Sequence, residues 1–388
     1  MSMTIIKDQS FVASTYKRVP VVFDHGKGSI VVDENGKEYI DLGTGIGVTA
    51  FGFCDDQWVK AVSDQANILQ HASNLYYTKP CADLAEIICN KTGLNKVFFA
   101  NSGAEANECA IKVARKYGAQ KKGNDCYKIV TLKNSFHGRT ITTLSATGQD
   151  VFHSQFTPLT DGFIHIEAGD DKAFSELVKN GDVCAIMMEA VQGEGGVLPL
   201  TNEFVTKICQ IAKENDVLVI FDEVQTGNGR TGKLYGYMHY GVMPDIITTA
   251  KGLGGGLPIG VCVMGEKTKD VLTFGDHGST YGGNPIASAG AITVLNRLTD
   301  EFLEEVRLKG EYVFESLKDA KGVISVTGKG LMIGIKTEKP APEVLQKCRE
   351  EGVICLSAKD KVRLLPALNI PFETLKKAIE IIKKVVGE

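Results

Sequence analysis

No C-x-x-C pair occurs in this 388-residue chain, and its seven histidines show no H-x-x-x-H spacing, so the patterns that hold zinc are missing. The ten cysteines, at 54, 81, 89, 109, 126, 184, 209, 262, 348 and 355, are therefore expected as buried free thiols in a reducing compartment. Runs of like charge are missing too, and the formal net charge is only −4. Nothing in that balance suggests a nucleic-acid or membrane surface. The chain does not open on a basic segment followed by an apolar run, and no apolar stretch reaches membrane-spanning length, so a cytoplasmic protein is expected. Internal repeats, low-complexity tracts and Pro/Ser linkers are also lacking. What is present is 43% hydrophobic and 23% charged, an ordinary globular composition long enough for more than one domain. Small molecules and protein partners are the classes left.

Residues 28–47 alternate apolar and polar around Asn35-Gly36, which predicts a hairpin. Helical spacing follows over 57–69 and 80–89. The chain then switches to short runs, "KVFFA", "KIVTL", "CAIMMEA", "VLVIFDEV" and "DIITTA", separated by helices. Runs apolar on both faces predict a mainly parallel sheet covered by helices. Beyond Asn284 the pattern is helical to about 320, then mixed: "VISVTGKGLMIGIK", a helix over 341–350, "KVRLLPALN" and a last helix from 371. That section reads as a smaller α+β domain, giving an N-terminal segment 1–56 that joins it, a large domain 57–290 and a C-terminal domain 291–388.

In open α/β sheets, ligands bind where strands end. Three such ends carry chemistry. Asn101-Ser102-Gly103-Ala104 follows "KVFFA" and opens a long helix, so it is either a plain Ser N-cap or a phosphate cradle of free N–H groups. Asp222 and Glu223 end the run "VLVIFDEV", where a carboxylate needs a polar or cationic partner. Lys251 ends "IITTA" beside the glycines of "KGLGGG"; it is either a surface lysine or a desolvated amine able to attack an aldehyde. Residues 227–232 match G-x-G-x-x-G, but they start five positions past the strand and lead into no clear helix, so the dinucleotide reading is rejected. A phosphate cradle, a buried Asp and a Lys beside glycines are together what pyridoxal phosphate needs.

With those residues in view, "NSGAEAN", "FHGRT", "EAVQGEGGV", "FDEVQTGNGRTG", "AKGLGGGLPIG", "HGSTYGGNP" and "VRLLPAL" resemble class III pyridoxal-phosphate aminotransferases, most closely those acting on acetylornithine. The likeness runs from about residue 16 to the C-terminus. It implies fold type I, a cofactor of pyridoxal 5'-phosphate, no metal, and a homodimer with active sites at its interface. It implies Lys251 as the lysine bonded to the cofactor and Asp222 as the partner of the ring nitrogen. Gly103 and Ala104 match the phosphate cradle, and Thr280 a hydroxyl reaching that phosphate from the partner subunit. Phe136 and Val224 match the contacts on the two ring faces, Gln225 a neighbour of the phenolic oxygen, and Glu223 falls within the same cofactor motif. Glu189 is assigned to support of the cofactor shell. Arg363 matches the site of the α-carboxylate of 2-oxoglutarate, and Arg139 that of the donor's carboxylate and the acceptor's distal one. Glu194 matches a carboxylate that pairs with the second of these arginines while the donor is bound, and Ser279 a donor contact. Ornithine, succinylornithine and 4-aminobutyrate remain alternative donors, and an aminomutase a different reaction. One loop departs from the family pattern: residues 50–57 read "AFGFCDDQ" where relatives carry Gly-His and His-Pro.

Overall fold

The short apolar runs pair into one sheet of seven strands in a computed structural model that describes residues 2–388. In spatial order they are Lys96–Ala100, Gly260–Met264, Ile246–Thr249, Leu218–Asp222, Val183–Met188, Lys128–Leu132 and Phe163–Ile166. Gly260–Met264 is antiparallel to both neighbours, and the other six share one direction. The central strands are buried at every position, and their alternate residues feed two different cores. Ile186, Met188, Val219, Phe221 and Ile247 enter one core; Ala185, Met187, Leu218, Ile220 and Ile246 enter the other. A period of two with both sets apolar is what a sheet covered on both faces requires. The second core is closed by the helix Gly103–Lys122 through Cys109, Ala110, Ile111, Val113, Ala114 and Tyr117.

A further core lies among elements from both chain ends. Val323–Lys329, Met332–Thr337, Lys361–Leu364 and Leu356–Ala358 form an antiparallel sheet, packed with the helices Ala341–Glu350 and Phe372–Gly387. The N-terminal strands Phe23–Lys27, Ile30–Asp33 and Glu38–Asp41 form a meander around the Asn35-Gly36 turn, extended by Val353–Ile354 pairing parallel to Glu38–Asp41. The 290/291 division falls inside the continuous helix Pro285–Arg297, whose Ala287, Ala291, Val294 and Leu295 belong to the first core. The chain changes core along the helix Asp300–Leu317, which gives Leu303 and Val306 to one and Val313 and Leu317 to the other.

All ten cysteines are free, five of them buried and Cys54 exposed, so burial holds for only part of the set. Among the described residues, no helix is long and apolar enough to cross a membrane.

Candidate active site

Because six strands share a direction, their carboxyl ends lie along one edge of the sheet, and the segments that follow them enclose a cavity of about 470 Å³. Lys251 enters it just past Ile246–Thr249. Its φ of 46° is left-handed, an uncommon conformation for a residue with a side chain, and one that surrounding bonds must hold. Asn228 holds it: the side-chain amide donates to Thr249 Oγ1 at 2.9 Å and to the Ala250 carbonyl at 3.2 Å. Burial pushes the lysine amine below its ordinary value, against the pull of Glu194 and Asp222.

Asp222 closes the adjacent strand and is 3% exposed. Its Oδ2 accepts from His137 Nδ1 and from Asn107 Nδ2, both at 2.8 Å, and its Oδ1 accepts from the Val224 N–H at 3.0 Å. Thr248 Oγ1 donates to Asn107 Oδ1 at 2.6 Å, which fixes the amide so that its NH₂ faces the carboxylate. Neither His137 nor Asn107 was singled out from the sequence. His137 stands between two residues that were, in "FHGRT", and its link to Asp222 spans 85 positions.

The cradle is built at the helix that starts at Gly103. Ser102 caps it, its Oγ accepting from the Glu105 N–H at 3.2 Å. The N–H groups of Gly103 and Ala104 have no carbonyl one turn back, so they are free for an anion. A Cβ on Gly103 would lie 2.6 Å from Val224 Cγ1, so only glycine lets the helix start this close to the cavity wall. Phe136, Val224 and Gln225 also line the cavity. A nucleophilic amine, an ionisable carboxyl held in fixed orientation and a free helix N-terminus suit the aldehyde, ring nitrogen and phosphate of pyridoxal phosphate, with Phe136 and Val224 at hand for its ring.

Beyond Gln225 lies a charged pair. Arg363, 3% exposed, donates from Nη1 to Glu194 Oε1 at 2.6 Å and from Nη2 to Oε2 at 3.3 Å. Gln225 joins them, accepting from Arg363 at 3.1 Å and donating to Glu194 at 3.4 Å. Burial raises the Glu194 carboxyl, but Arg363 together with Lys251 and Gln225 outweighs it and the net shift is downward. Glu194 was expected to face Arg139; here it faces Arg363. Arg139 is exposed, with its guanidinium carbon 4.1 Å from the centre of the Phe152 ring and 5.6 Å from that of Phe136.

Other expected residues lie differently. Glu223 turns its carboxylate away from the cavity, because it accepts from Thr226 Oγ1 and from the N–H groups of Gly236 and Tyr237 at 2.6 to 2.7 Å. Alternation along the strand puts Asp222 and Glu223 on opposite sides, so one motif serves two surroundings. Burial pushes Glu223 up to about 7, against those three donors. Glu189 lines the cavity, accepting from the N–H groups of Phe136 and Gly193 at 2.9 and 3.1 Å, and burial holds it above its ordinary value. Ser279 Oγ accepts from Asn101 Nδ2 at 3.2 Å and from the Gly282 N–H at 2.9 Å, and Thr280 is exposed. Both lie outside the cavity of their own chain.

The family model described as Aminotransferase class-III matches residues 11–386. The acetylornithine aminotransferase of Caldanaerobacter subterraneus subsp. tengcongensis is 47% identical over 99% of this chain and 99% of its own. That of Haemophilus ducreyi is 45% identical over 98% of both. The crystal structure of the ornithine aminotransferase from Toxoplasma gondii ME49 superposes with a TM-score of 0.95 at 31% identity, covering 99% of this chain and 94% of the other. With the lysine, the carboxylate and the cradle converging on one cavity, the chain belongs to the class III aminotransferases, enzymes that work with pyridoxal phosphate.

Proposed function

We propose that the enzyme moves the terminal amino group of N2-acetylornithine to 2-oxoglutarate, giving N-acetylglutamate 5-semialdehyde and glutamate in two half-reactions. The observation that carries this reading is the unequal state of the two arginines: Arg363 is neutralised by Glu194, while Arg139 is open at the rim. Acetylornithine has one carboxylate, which suits Arg139, and its reacting end carries none, so Arg363 has to be silent while it binds. Acetylation also removes the α-ammonium that would otherwise lie beside the Arg139 guanidinium. 2-Oxoglutarate has two carboxylates, so it needs both arginines, and Glu194 must then leave Arg363. An aminomutase would have no use for this second anion site.

Lys251 Nζ is the base for the proton on the carbon bearing the terminal amine; desolvation keeps the amine neutral at lower pH than in an ordinary lysine. Pyridoxal phosphate, when bound, delocalises the electron pair left on that carbon. Asp222, fixed by His137, Asn107 and the Val224 N–H, keeps a proton on the ring nitrogen. The reading extends to a cytoplasmic homodimer serving arginine biosynthesis, with Thr280 acting across the interface.

Comparing kcat/KM for acetylornithine, succinylornithine, ornithine and 4-aminobutyrate with 2-oxoglutarate tests the donor. Acetylornithine should lead. The likeness to the Toxoplasma gondii ornithine aminotransferase favours ornithine as the second reading, and a lead by ornithine or 4-aminobutyrate would end the first.

A further inference from the structure

The 227–232 run that imitates a dinucleotide fingerprint bonds on one side to the residues just before Lys251 and on the other to carbonyls flanking the strands that carry and neighbour Arg363. On one side, Asn228 donates to Thr249 and to Ala250, the residue before Lys251. On the other, Arg230 reaches into the C-terminal sheet, where one nitrogen, Nη1, donates to the Pro366 carbonyl at 2.6 Å and to the Leu331 carbonyl at 3.2 Å. The Leu331 N–H returns a bond to the Arg230 carbonyl at 3.0 Å. These carbonyls flank two paired strands: Leu331 precedes Met332–Thr337, and Pro366 lies three positions past Arg363 on the strand Lys361–Leu364.

Arg230 is 3% exposed, and its side chain donates to these two carbonyls rather than to a carboxylate. A guanidinium is costly to bury, and carbonyl dipoles offset that cost less well than an anion does. Burial accordingly pulls it down to about 9. An apolar side chain of similar length would fill the space at lower desolvation cost, but it could not hold two carbonyls in register.

We propose that the 227–232 loop sets the placement of Arg363 against Lys251, with Arg230 as a positioning residue for the acceptor's carboxylate site and Asn228 as one for the lysine. This rests on reading Arg363 as the site of the 2-oxoglutarate α-carboxylate. Displacing that arginine while the lysine stays put weakens one half-reaction and spares the other.

The test compares Arg230→Met, Arg230→Lys and Arg363→Met in the holoenzyme by half-reaction kinetics. Cofactor loading is followed by quenching of Trp58, the single tryptophan, whose Nε1 donates to the Gly254 carbonyl three residues past Lys251. Arg230→Met should raise the KM for 2-oxoglutarate about tenfold and leave single turnover with acetylornithine within about twofold. Arg230→Lys, which keeps a cation for the two carbonyls, should recover part of the loss. If Arg230→Met does not load cofactor, Arg230→Lys decides by the same comparison, with a smaller rise confined to 2-oxoglutarate. Equal change in both half-reactions, or in neither, while Arg363→Met selectively weakens 2-oxoglutarate, overturns the positioning role. An Arg363→Met variant that binds 2-oxoglutarate normally overturns instead the assignment of Arg363, and the proposal with it.

Discussion

Lys251 and Asp222 owe their properties to what surrounds them. Burial lowers the lysine's affinity for a proton, so at any pH below its ordinary 10.5 a larger fraction is neutral than in a surface lysine. In cofactor-free protein, acetic anhydride should therefore modify Lys251 with a titration midpoint below that of the exposed lysines, read by peptide mapping across pH; a shared midpoint would contradict the desolvated site. Asp222 accepts on both oxygens, from His137 and Asn107 on Oδ2 and from the Val224 N–H on Oδ1, whereas an amide accepts on only one atom. Asp222→Asn should leave one donor unpaired, costing about 1–3 kcal/mol of stability, and should lower kcat by about a thousandfold through loss of the ring-nitrogen proton. Unfolding midpoints and kcat on the holoenzyme check both, and a near-native kcat would refute the role. Lys251 and Asp222 were legible in the sequence because each is a polar residue at the end of an apolar run. Their partners were not, since His137 and Asn107 meet Asp222 only through contacts 85 and 115 positions apart.

Among elements, the runs read as strands from "KVFFA" to "DIITTA" all pair in the sheet, with burial on both faces as their composition requires. Two sheet strands went unmarked. Phe163–Ile166 is a partly buried edge strand of four residues, too short for alternation to register. Gly260–Met264 opens on a glycine, which weakens a strand signal. The fold gives that glycine its reason: a Cβ at 260 would lie 2.0 Å from the Ser102 carbonyl, where the cradle begins. The helix Met3–Phe11 buries none of its residues, so no core periodicity marked it. Gly260→Ala should push the Ser102 turn out of place, costing about 1–3 kcal/mol and weakening pyridoxal phosphate binding about tenfold. Trp58 quenching during titration with the cofactor measures this, and unchanged affinity would detach Gly260 from the cradle.

At the scale of the whole molecule, the proposed dimer assigns Lys251 and Thr280 of one site to different subunits. Coexpressing Lys251→Ala with Thr280→Asp, each inactive alone, should then restore about a quarter of wild-type activity, because half the dimers are mixed and each mixed dimer has one intact site. Activity no higher than the sum of the two parents would place both residues in one chain's site. The C-terminal part of the chain and its middle meet at Arg363 and Gln225, so acceptance of a second carboxylate depends on both together. Amino transfer from acetylornithine to 2-oxoglutarate through one cavity leaves an isotopic trace. Its most direct test is acetylornithine labelled with ¹⁵N at the terminal amine, with mass spectrometry of all products. The label is expected on the protein-bound cofactor when 2-oxoglutarate is withheld, and in glutamate once it is added; label released as ammonia, or left in acetylornithine while labelled ornithine passes its nitrogen on, would refute that transfer.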